Sequence, residues 1–255
     1  MSKSQKYILT KIYEDTQSQC TQGKYNKYNL QPSIKFTDDF LQTIKMLPRF
    51  DITEIQVLNE DTLICANNEI LNGHNVCLLN MASNSHAGGG ASKGAMAQEE
   101  DLFRRTNYFL TLKQTMYPLN RNELIYSPNV FTIKDENYNL IKKPLWCAFI
   151  AQPAIRNPKL LLNNETNKYQ FVDTDKQIME QKINNILKVA YMHNHDVLVL
   201  GALGCGAYHN PPDQVAQIFK DSLHKYDKCF KRVIFAVLSK KDTNYQVFSS
   251  VLNIT

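Results

Sequence analysis

Glycine is the residue type whose placement in this sequence points most directly to chemistry. The chain has only nine glycines among 255 residues, about half of the roughly 18 expected at ~7% usage. Seven of the nine lie in two short stretches, residues 88–94 and 201–206. Several glycines in one loop let the backbone approach a ligand closely. Free backbone N–H groups in such loops can bind phosphate without a metal ion or a lysine.

Carboxylates follow the first glycine stretch. Gln98-Glu99-Glu100 follows Gly90 after seven intervening residues and opens a predicted helix. Adjacent helical side chains point about 100° apart, so the two glutamates cannot act on the same atom. Each feature has an alternative interpretation. The three glycines could be a flexible linker, and Gln98-Glu99-Glu100 could be a helix start stabilised by acidic residues. Neither glycine stretch matches GxxxxGK[ST] or GxGxxG, which argues against a P-loop NTPase and a dinucleotide-binding dehydrogenase.

The elements that must position these loops alternate between strand and helix, as judged from apolar runs and apolar periodicity. This alternation predicts an α/β sheet covered by helices on both faces, in which loops at the carboxyl ends of strands meet. Both glycine loops directly follow strands and could therefore converge. Residues 115–143 are predicted to be irregular apart from one short strand. Strands are predicted near 55–58, 76–80, 130–134, 145–151, 197–200 and 233–238. Helices are predicted over 3–20, 37–47, 61–71, 98–114, 174–193, 211–226 and 245–252.

The composition, with 43% apolar and 21% charged residues, is that of a globular protein. Its apolar runs fall far short of the roughly 18 residues that cross a bilayer, and residues 1–6 lack the apolar core of a secretory signal. We therefore expect an intracellular protein, with cytoplasm and nucleus both left open. The net charge of +5 permits a polyanionic partner without requiring one. The six scattered cysteines and the histidines form no ligand pattern, so we expect reduced thiols and no metal site.

The two loops together resemble the catalytic motifs of microbial-type poly(ADP-ribose) glycohydrolases. Three glycines, seven residues and Gln-Glu-Glu are similar to the catalytic signature of that family. Asn-Met-Ala-Ser at 80–83 is similar to its Asn-Phe-Ala-Ser stretch. Residues 200–208, followed by Asn-Pro-Pro at 210–212, resemble its diphosphate loop. With weaker matches elsewhere, the resemblance covers nearly the whole chain.

The resemblance implies a macrodomain-like mixed sheet with helices on both faces and an N-terminal helical extension. It implies one catalytic domain over residues 1–255, with the extension at 1–50 and the macrodomain core at 51–255. Three residues depart from the usual pattern, because Ala87, His86 and Leu203 stand where proline, asparagine and tryptophan are common. None of these departures removes a catalytic group.

The resemblance also implies roles for particular residues. Glu100 would be the catalytic acid that protonates the departing ribose oxygen and then deprotonates the incoming water, unlike glycosidases with two separated carboxylates. Glu99 would hydrogen-bond ribose hydroxyls, with a capping carboxylate as the alternative. Gln98 would orient a ribose or the loop backbone. The other substrate-binding residues implied are Asn80, Ser83, Asn84, Gly88, Gly89, Gly90, Gly201, Gly204, Cys205, Gly206, Ala207 and Tyr208.

Alternatives stay open for several of these residues. Asn80, Ser83 and Asn84 could be plain turn residues, and Tyr208 could be a core tyrosine rather than a wall against the distal ribose. We expect Cys205 to serve as a small residue and not as a nucleophile, because no basic partner precedes it at useful spacing.

The second glycine loop carries a further expectation. Valine at Gly204 or Gly206 is expected to weaken ADP-ribose binding more than thermal stability, because a Cβ would block the approach of phosphate. Recognition of the adenine is left open among Glu60, Asp61 and Ser239.

The function implied first is that of an exo-acting poly(ADP-ribose) glycohydrolase, which cuts ribose–ribose O-glycosidic bonds at the polymer terminus without cofactor or metal. One alternative is a hydrolase that removes single ADP-ribose units from proteins, and another is a reader that binds ADP-ribose without cutting it. The intact Gln98-Glu99-Glu100 argues against the reader, because diphosphate binding needs the glycines and not a second glutamate. Expected partners are poly(ADP-ribose) or ADP-ribosylated proteins, with ADP-ribose as product. We expect a monomer that binds neither DNA nor membranes.

Overall fold

The computed structural model describes residues 1–22, 25, 28, 30–239 and 243–252. The strands are β1 Ile34–Phe36, β2 Glu54–Leu58, β3 Val76–Asn80, β4 Leu124–Lys134, β5 Leu140–Ala151, β6 Leu160–Asn163, β7 Lys168–Phe171, β8 Val197–Leu200 and β9 Arg232–Ala236. The helices are α1 Lys3–Thr21, α2 Asp38–Gln42, α3 Thr62–Leu71, α4 Gln98–Arg105, α5 Tyr108–Thr111, α6 Asp173–Met192, α7 Pro212–Lys225 and α8 Thr243–Leu252. Most of the predicted elements are thereby confirmed to within a few residues.

A seven-stranded mixed sheet forms the centre, in the order β1-β4-β5-β3-β8-β9-β2. The strands β5, β3, β8, β9 and β2 are parallel to one another, whereas β4 is antiparallel to both of its neighbours. Because β3 and β8 are adjacent and parallel, the loops that follow them leave the same edge of the sheet. The predicted convergence of the two glycine loops rests on this pairing.

The sheet is covered on both faces, as expected. All five residues of β3 are buried, which fits a parallel strand between two layers of helices. Cys77 and Leu79 pack into one apolar cluster with residues of α6, α7 and α8. Val76 and Leu78 pack into a second cluster with residues of α3, α4 and α5. Alternate side chains of the same strand therefore hold the two helical layers.

The long hairpin of β4 and β5 is where the prediction from sequence was wrong, because residues 124–129 and 140–144, predicted to be irregular or unassigned, belong to the two strands. Strand β4 runs through Pro128, whose missing N–H favours a loop in a sequence-based prediction. In the structure Pro128 lies at a shift of the β4–β5 register between Ser127 and Val130. Such an irregularity requires no ladder hydrogen bond from the proline, so the strand continues past it.

The predicted helix over 98–114 is also interrupted. Helix α4 ends at Arg105, and Thr106 forms an isolated antiparallel bridge with Thr132 of β4. The Thr106 hydroxyl donates to the Leu102 carbonyl at 2.7 Å, and the Phe131 N–H donates to the Asn107 side chain at 2.8 Å. Pairing with the sheet outweighs the helical pattern of the sequence at this point. Strand β1 and the β6–β7 hairpin were not predicted, and α2 ends before the predicted residue 47.

The N-terminal segment is fastened to the core. The Thr16 hydroxyl donates to the Arg104 carbonyl, and the Arg104 side chain donates to the Leu9 carbonyl at 3.2 Å. The buried Lys134 ammonium pairs with Asp15 at 2.6 Å. The segment is not purely helical, because β1 forms an edge strand of the sheet beside β4.

Two further sequence expectations concern thiols and membranes. All six cysteines are free in the structure and five of them are buried. Among the described residues, no helix is both long enough and apolar enough to span a bilayer.

Candidate active site

Both glycine loops line one cavity of about 200 Å³, here called the catalytic cavity. The loop of residues 81–97 follows β3 and leads into α4, and the loop of residues 201–211 follows β8 and leads into α7. The predicted convergence is thus confirmed. The lining residues are Met81, Ala82, Ser83, Ala97, Gln98, Glu99, Glu100, Ala154, Ala202, Leu203, Gly204, Gly206, Ala207 and Tyr208.

Glu99 is a buried carboxyl, only 4% exposed, that accepts three hydrogen bonds from the first loop. The N–H of Ser83 donates at 2.7 Å, the N–H of Gly88 at 3.2 Å and the amide of Asn80 at 3.3 Å. Burial raises the pKa of Glu99 to about 8, and the neighbouring Glu100 charge adds to the rise, while the three donors oppose it. Both oxygens of Glu99 are therefore held in place by the protein itself.

Glu100 has a different arrangement of partners. Its Oε1 accepts the Gly90 N–H at 2.9 Å, while its buried Oε2 has no hydrogen-bond partner among the described residues. The side chain lies on the wall of the catalytic cavity and is 8% exposed. Buried polar atoms are rarely left without a partner, so Oε2 is the carboxylate oxygen available to a bound molecule.

The three consecutive glycines support the carboxylates from behind. Gly88 and Gly89 have φ values of +77° and +55°, in the left-handed region that favours glycine. A Cβ on Gly89 would lie 2.5 Å from Oε1 of Glu100. The N–H groups of Gly88 and Gly90 donate to Glu99 and Glu100, and that of Gly89 donates to the His86 carbonyl. These glycines do not line the cavity, and their direct contact with a substrate stays a prediction.

Gln98 fastens the start of α4 to the end of β3. Its amide nitrogen donates to the Leu79 carbonyl at 2.7 Å, and its amide oxygen accepts the Met81 N–H at 2.9 Å. Of the two roles predicted for Gln98, orientation of the loop backbone is the one this geometry provides. Asn80 is fully buried behind Glu99, and Asn84 lines a neighbouring cavity instead of the catalytic one.

Gln114 holds the first loop at Ala87, the residue that stands where proline is common in the resembling family. The Ala87 N–H donates to the Gln114 amide oxygen at 3.1 Å, and the Gln114 amide nitrogen donates to the Ser85 carbonyl at 3.2 Å. Proline could not make the first of these bonds, because it has no N–H. The side chain of Gln114 therefore fixes the loop from outside at the position of this departure.

The second loop presents free main-chain donors to the cavity. Among the described residues, the N–H groups of Gly204, Gly206, Ala207 and Tyr208 have no acceptor, although all four residues line the cavity. A Cβ built on Gly206 would point into open space. Several N–H groups directed at one concave surface make a site for an anion. The geometry suits the predicted diphosphate site.

Asn210 shapes the second loop and was not predicted as a functional residue. Its buried side-chain amide donates to the carbonyls of Ile155, at 2.7 Å, and Gly204, at 3.1 Å. Gly204 has a φ of +75°, and a Cβ there would lie 2.4 Å from the Ala154 Cβ. The Asn-Pro-Pro sequence at 210–212 was the available signal, since it stands at the start of α7. Ala154, which follows β5, gave no signal of its own.

The remaining predicted residues of the second loop divide by position. Tyr208 and Ala207 lie on the cavity wall, and the half-buried Tyr208 also packs against the main apolar cluster. Gly201 is buried against Met81. The Cys205 thiol donates to the Leu203 carbonyl at 3.7 Å, and burial raises its pKa. A thiol with a raised pKa is a poor nucleophile, which agrees with the expected role as a small residue.

The adenine candidates are partly engaged in the fold. Asp61 accepts the N–H groups of Leu63 and Ile64 at the start of α3 and pairs with Arg105 at 2.8 Å. Glu60 accepts a hydrogen bond from the Cys65 thiol at 3.1 Å. These contacts favour structural roles for both carboxylates. Within the described ranges, no group of three or more His, Cys, Asp or Glu residues is arranged to hold a metal ion.

The sheet order and the glycine-lined cleft at its carboxyl edge define a macrodomain-like protein. Residues 9–135 match the family model described as microbial-type PARG, catalytic domain, where PARG stands for poly(ADP-ribose) glycohydrolase. This match covers just under half of the chain and includes the first glycine loop and Gln98-Glu99-Glu100. No curated protein matches the sequence.

Solved structures of bacterial members are similar over almost the whole length. Poly(ADP-ribose) glycohydrolase from Thermomonospora curvata, bound to the inhibitor ADP-HPD, is 25% identical with a TM-score of 0.78, and the match covers 96% of this chain and 99% of that one. The enzyme from Deinococcus radiodurans in complex with ADP-ribose is 28% identical with a TM-score of 0.75, and the match covers 87% and 94% of the two chains.

Proposed function

We propose that this protein is a poly(ADP-ribose) glycohydrolase that releases ADP-ribose from the polymer terminus. One observation carries the proposal: the cavity is lined both by Glu100, whose buried Oε2 has no hydrogen-bond partner among the described residues, and by residues of the second loop whose N–H groups have no acceptor there. The first can exchange a proton, and the second can hold a diphosphate. The relatives from T. curvata and D. radiodurans bind ADP-HPD and ADP-ribose, which supports ADP-ribose as the ligand here.

The mechanism follows from the two carboxyls. Glu100, protonated, gives its proton to the bridging ribose oxygen as the bond from that oxygen to the anomeric carbon breaks. Water then adds to the anomeric carbon and returns a proton to Glu100. Glu99, whose oxygens are held by Ser83, Gly88 and Asn80, fixes the ribose through its hydroxyls and keeps the loop in one conformation. Fixed donors and acceptors of this kind need no rearrangement during the reaction.

Substrate contacts are proposed for the residues that line the cavity in the second loop, with the diphosphate on the N–H groups of Gly204, Gly206 and Ala207. Tyr208 would pack against the distal ribose. The assignment of the whole chain as one catalytic domain, with residues 1–50 as an extension, is part of this proposal. So are a monomeric and intracellular state, independence of metal and cofactor, and the lack of binding to DNA and membranes.

The test compares two substrates. The protein is incubated with poly(ADP-ribose) and, separately, with a mono-ADP-ribosylated protein, and free ADP-ribose is measured with and without EDTA. The proposal expects release from the polymer that EDTA does not change. Release only from the single-unit substrate would favour the protein-linked hydrolase, and tight ADP-ribose binding without release from either substrate would favour the reader.

A further inference from the structure

A second cavity, of about 220 Å³, adjoins the catalytic one and is here called the side cavity. Its walls include Asn84 and Arg121, residues 153–155 after β5, and Asp175 and Lys182 of α6. Ala154 lines both cavities. A water molecule occupies about 30 Å³ of liquid, so the side cavity has room for a group of several heavy atoms.

The side cavity carries more positive than negative charge. Lys182 is only 4% exposed, and its ammonium donates to the Arg121 carbonyl. An ammonium has three donors, and Lys182 has no other acceptor and no carboxylate partner in the described part of the chain. The exposed Arg121 guanidinium likewise forms no ion pair there. Asp175 is the acidic residue on the wall, and its Oδ2 already accepts the Lys159 N–H at 2.7 Å.

The charge of Lys182 persists at neutral pH. Burial, assisted by the adjacent Arg121 charge, lowers the pKa of Lys182 to about 8. An ammonium that is buried without a carboxylate is costly for the fold. A buried cation of this kind at the wall of a cavity fits an anion that comes from outside the chain.

The order of the strands places the side cavity beside the carboxyls, on the side where the rest of the polymer, the leaving group, would lie. Along the carboxyl edge of the sheet, the second loop follows β8, the two carboxyls follow β3, and the side cavity lies where β5 ends and β4 begins. These strands are neighbours in the order β8-β3-β5-β4. If the diphosphate of the terminal unit lies on the second loop, the rest of the polymer leaves the carboxyls toward β5.

We propose that the side cavity binds the diphosphate of the next ADP-ribose unit of the polymer, on the leaving-group side of the bond that is cut. The inference rests on the proposed function, and it makes Arg121 and Lys182 determinants of polymer over single-unit substrates. Side-chain ammonium and guanidinium groups are suited to phosphate oxygens. Neither residue lines the catalytic cavity, so neither is required to bind ADP-ribose itself.

The test measures binding by calorimetry in the Glu100→Gln background, with ADP-ribose and with an oligomer of two ADP-ribose units. We expect the oligomer to bind about fivefold more tightly, the gain for a charge pair at a partly exposed site. Arg121→Gln should remove this gain and leave ADP-ribose affinity unchanged, and Arg121→Lys should retain part of it. Lys182→Met, which keeps the apolar stem, should also remove it.

The matched control is Lys143→Gln, which removes an exposed charge from the far end of β5 and should leave the gain intact. Equal affinities for one and two units, or the same loss of the gain in the Lys143 variant, would overturn the inference while ADP-ribose binding upholds the proposed function. Failure to bind either ligand would overturn both the proposed function and the inference.

Discussion

The loop after β3 and the loop after β8 are both rich in glycine and both reach the catalytic cavity. They differ in whether their main-chain N–H groups have acceptors within the protein. In the first loop, the N–H groups of Ser83, Gly88 and Gly90 donate to the protein's own carboxyls. In the second loop, those of Gly204 and Gly206 have no acceptor within the described ranges. The first loop therefore organises reactive side chains, and the second keeps its donors for a ligand.

The comparison shows that glycine serves two physical purposes in one site. At Gly89, the absent Cβ leaves space that Glu100 occupies, whereas at Gly206 it leaves space that is open to solvent. Substitutions in the two loops should therefore fail in different ways. Changes in the first loop should act on catalysis and stability, and changes in the second should act on affinity.

The largest effect is expected for Glu100→Gln, which tests the first loop at its reactive atom. The amide keeps the shape of the side chain but cannot give a proton to the leaving oxygen. Hydrolysis of poly(ADP-ribose) should fall by roughly 10²–10⁴-fold, while ADP-ribose binding measured by calorimetry is retained. Activity within tenfold of the unmodified protein would remove Glu100 from the mechanism.

Gly89→Ala should lower both activity and stability. Its Cβ would lie 2.5 Å from Oε1 of Glu100 and 3.0 Å from Oε2 of Glu99, so both carboxyls must move, and the φ of +55° adds strain of about 1–3 kcal/mol. We expect more than tenfold loss of hydrolysis and a lower melting temperature.

The control for Gly89→Ala is Gly73→Ala. Gly73 has a φ of +85°, but a Cβ there would meet no atom of the described residues within 4 Å. It should lose stability through the same backbone strain and keep its activity per folded molecule. Equal activity losses in the two variants would show that the clash with the carboxyls is unimportant.

Gly206→Val tests the second loop, where we expect roughly tenfold weaker ADP-ribose binding, or about 1.4 kcal/mol, at an unchanged melting temperature. The new side chain would occupy the approach to the free N–H groups. Gly204→Val is not equivalent, contrary to the expectation from sequence, because its Cβ would clash with Ala154 and Asn210 and its φ is positive. That variant should lose stability as well. Normal binding by a folded Gly206 variant would remove the loop from the diphosphate site.

A smaller effect is expected in the pH dependence of stability. Burial raises the pKa of Glu99 to about 8 from its ordinary value of 4.5, so the folded state binds this proton more tightly than the unfolded state. The resulting stabilisation is complete below pH 4.5 and is lost as the pH rises to about 8. In the Glu99→Gln variant this residue does not titrate, so its contribution to stability does not change with pH.

The measurement is the melting temperature of both proteins between pH 5 and pH 8. The difference between Glu99→Gln and the unmodified protein should shift in favour of the variant as the pH rises. The glutamine amide of the variant also faces the three N–H donors less favourably than the carboxyl does. That cost does not depend on pH, so it displaces the two curves of melting temperature against pH without changing the difference in their slopes. Parallel curves would mean that Glu99 titrates alike in the folded and unfolded states.

The parts of the site that could be predicted from the sequence are those formed by residues close together in the chain. The buried run of β3, the glycines after it and Gln98-Glu99-Glu100 are contiguous, and the strand before each loop fixes where the loop leaves the sheet. The spacing could not show that the N–H groups of Gly88 and Gly90 are used by the carboxyls. That arrangement depends on the fold of the loop, including its attachment to Gln114.

The parts that sequence could not predict depend on long-range pairing. Pro128 predicts a loop when the sequence is considered alone, but the register shift between β4 and β5 accommodates it within a strand. Helix α4 ends before Thr106 because this residue pairs with Thr132 of the neighbouring strand β4. Asn210 is a turn residue by composition, and its role comes from the carbonyl of Ile155, which lies 55 positions away in the chain. Side-chain partners at such separation leave no periodic signal.

The main-chain donors of the second loop also bear on resistance to inhibitors. A compound that fills this cleft through its diphosphate would be held by N–H groups that every residue except proline carries. Most side-chain mutations at Ala207 or Tyr208 would leave those donors in place. Escape from such a compound would require a change in backbone path, through Gly204, Gly206 or the Asn210 amide that fixes the loop. Each of these changes would also reduce binding of the natural ligand, so resistance and loss of function would arise together.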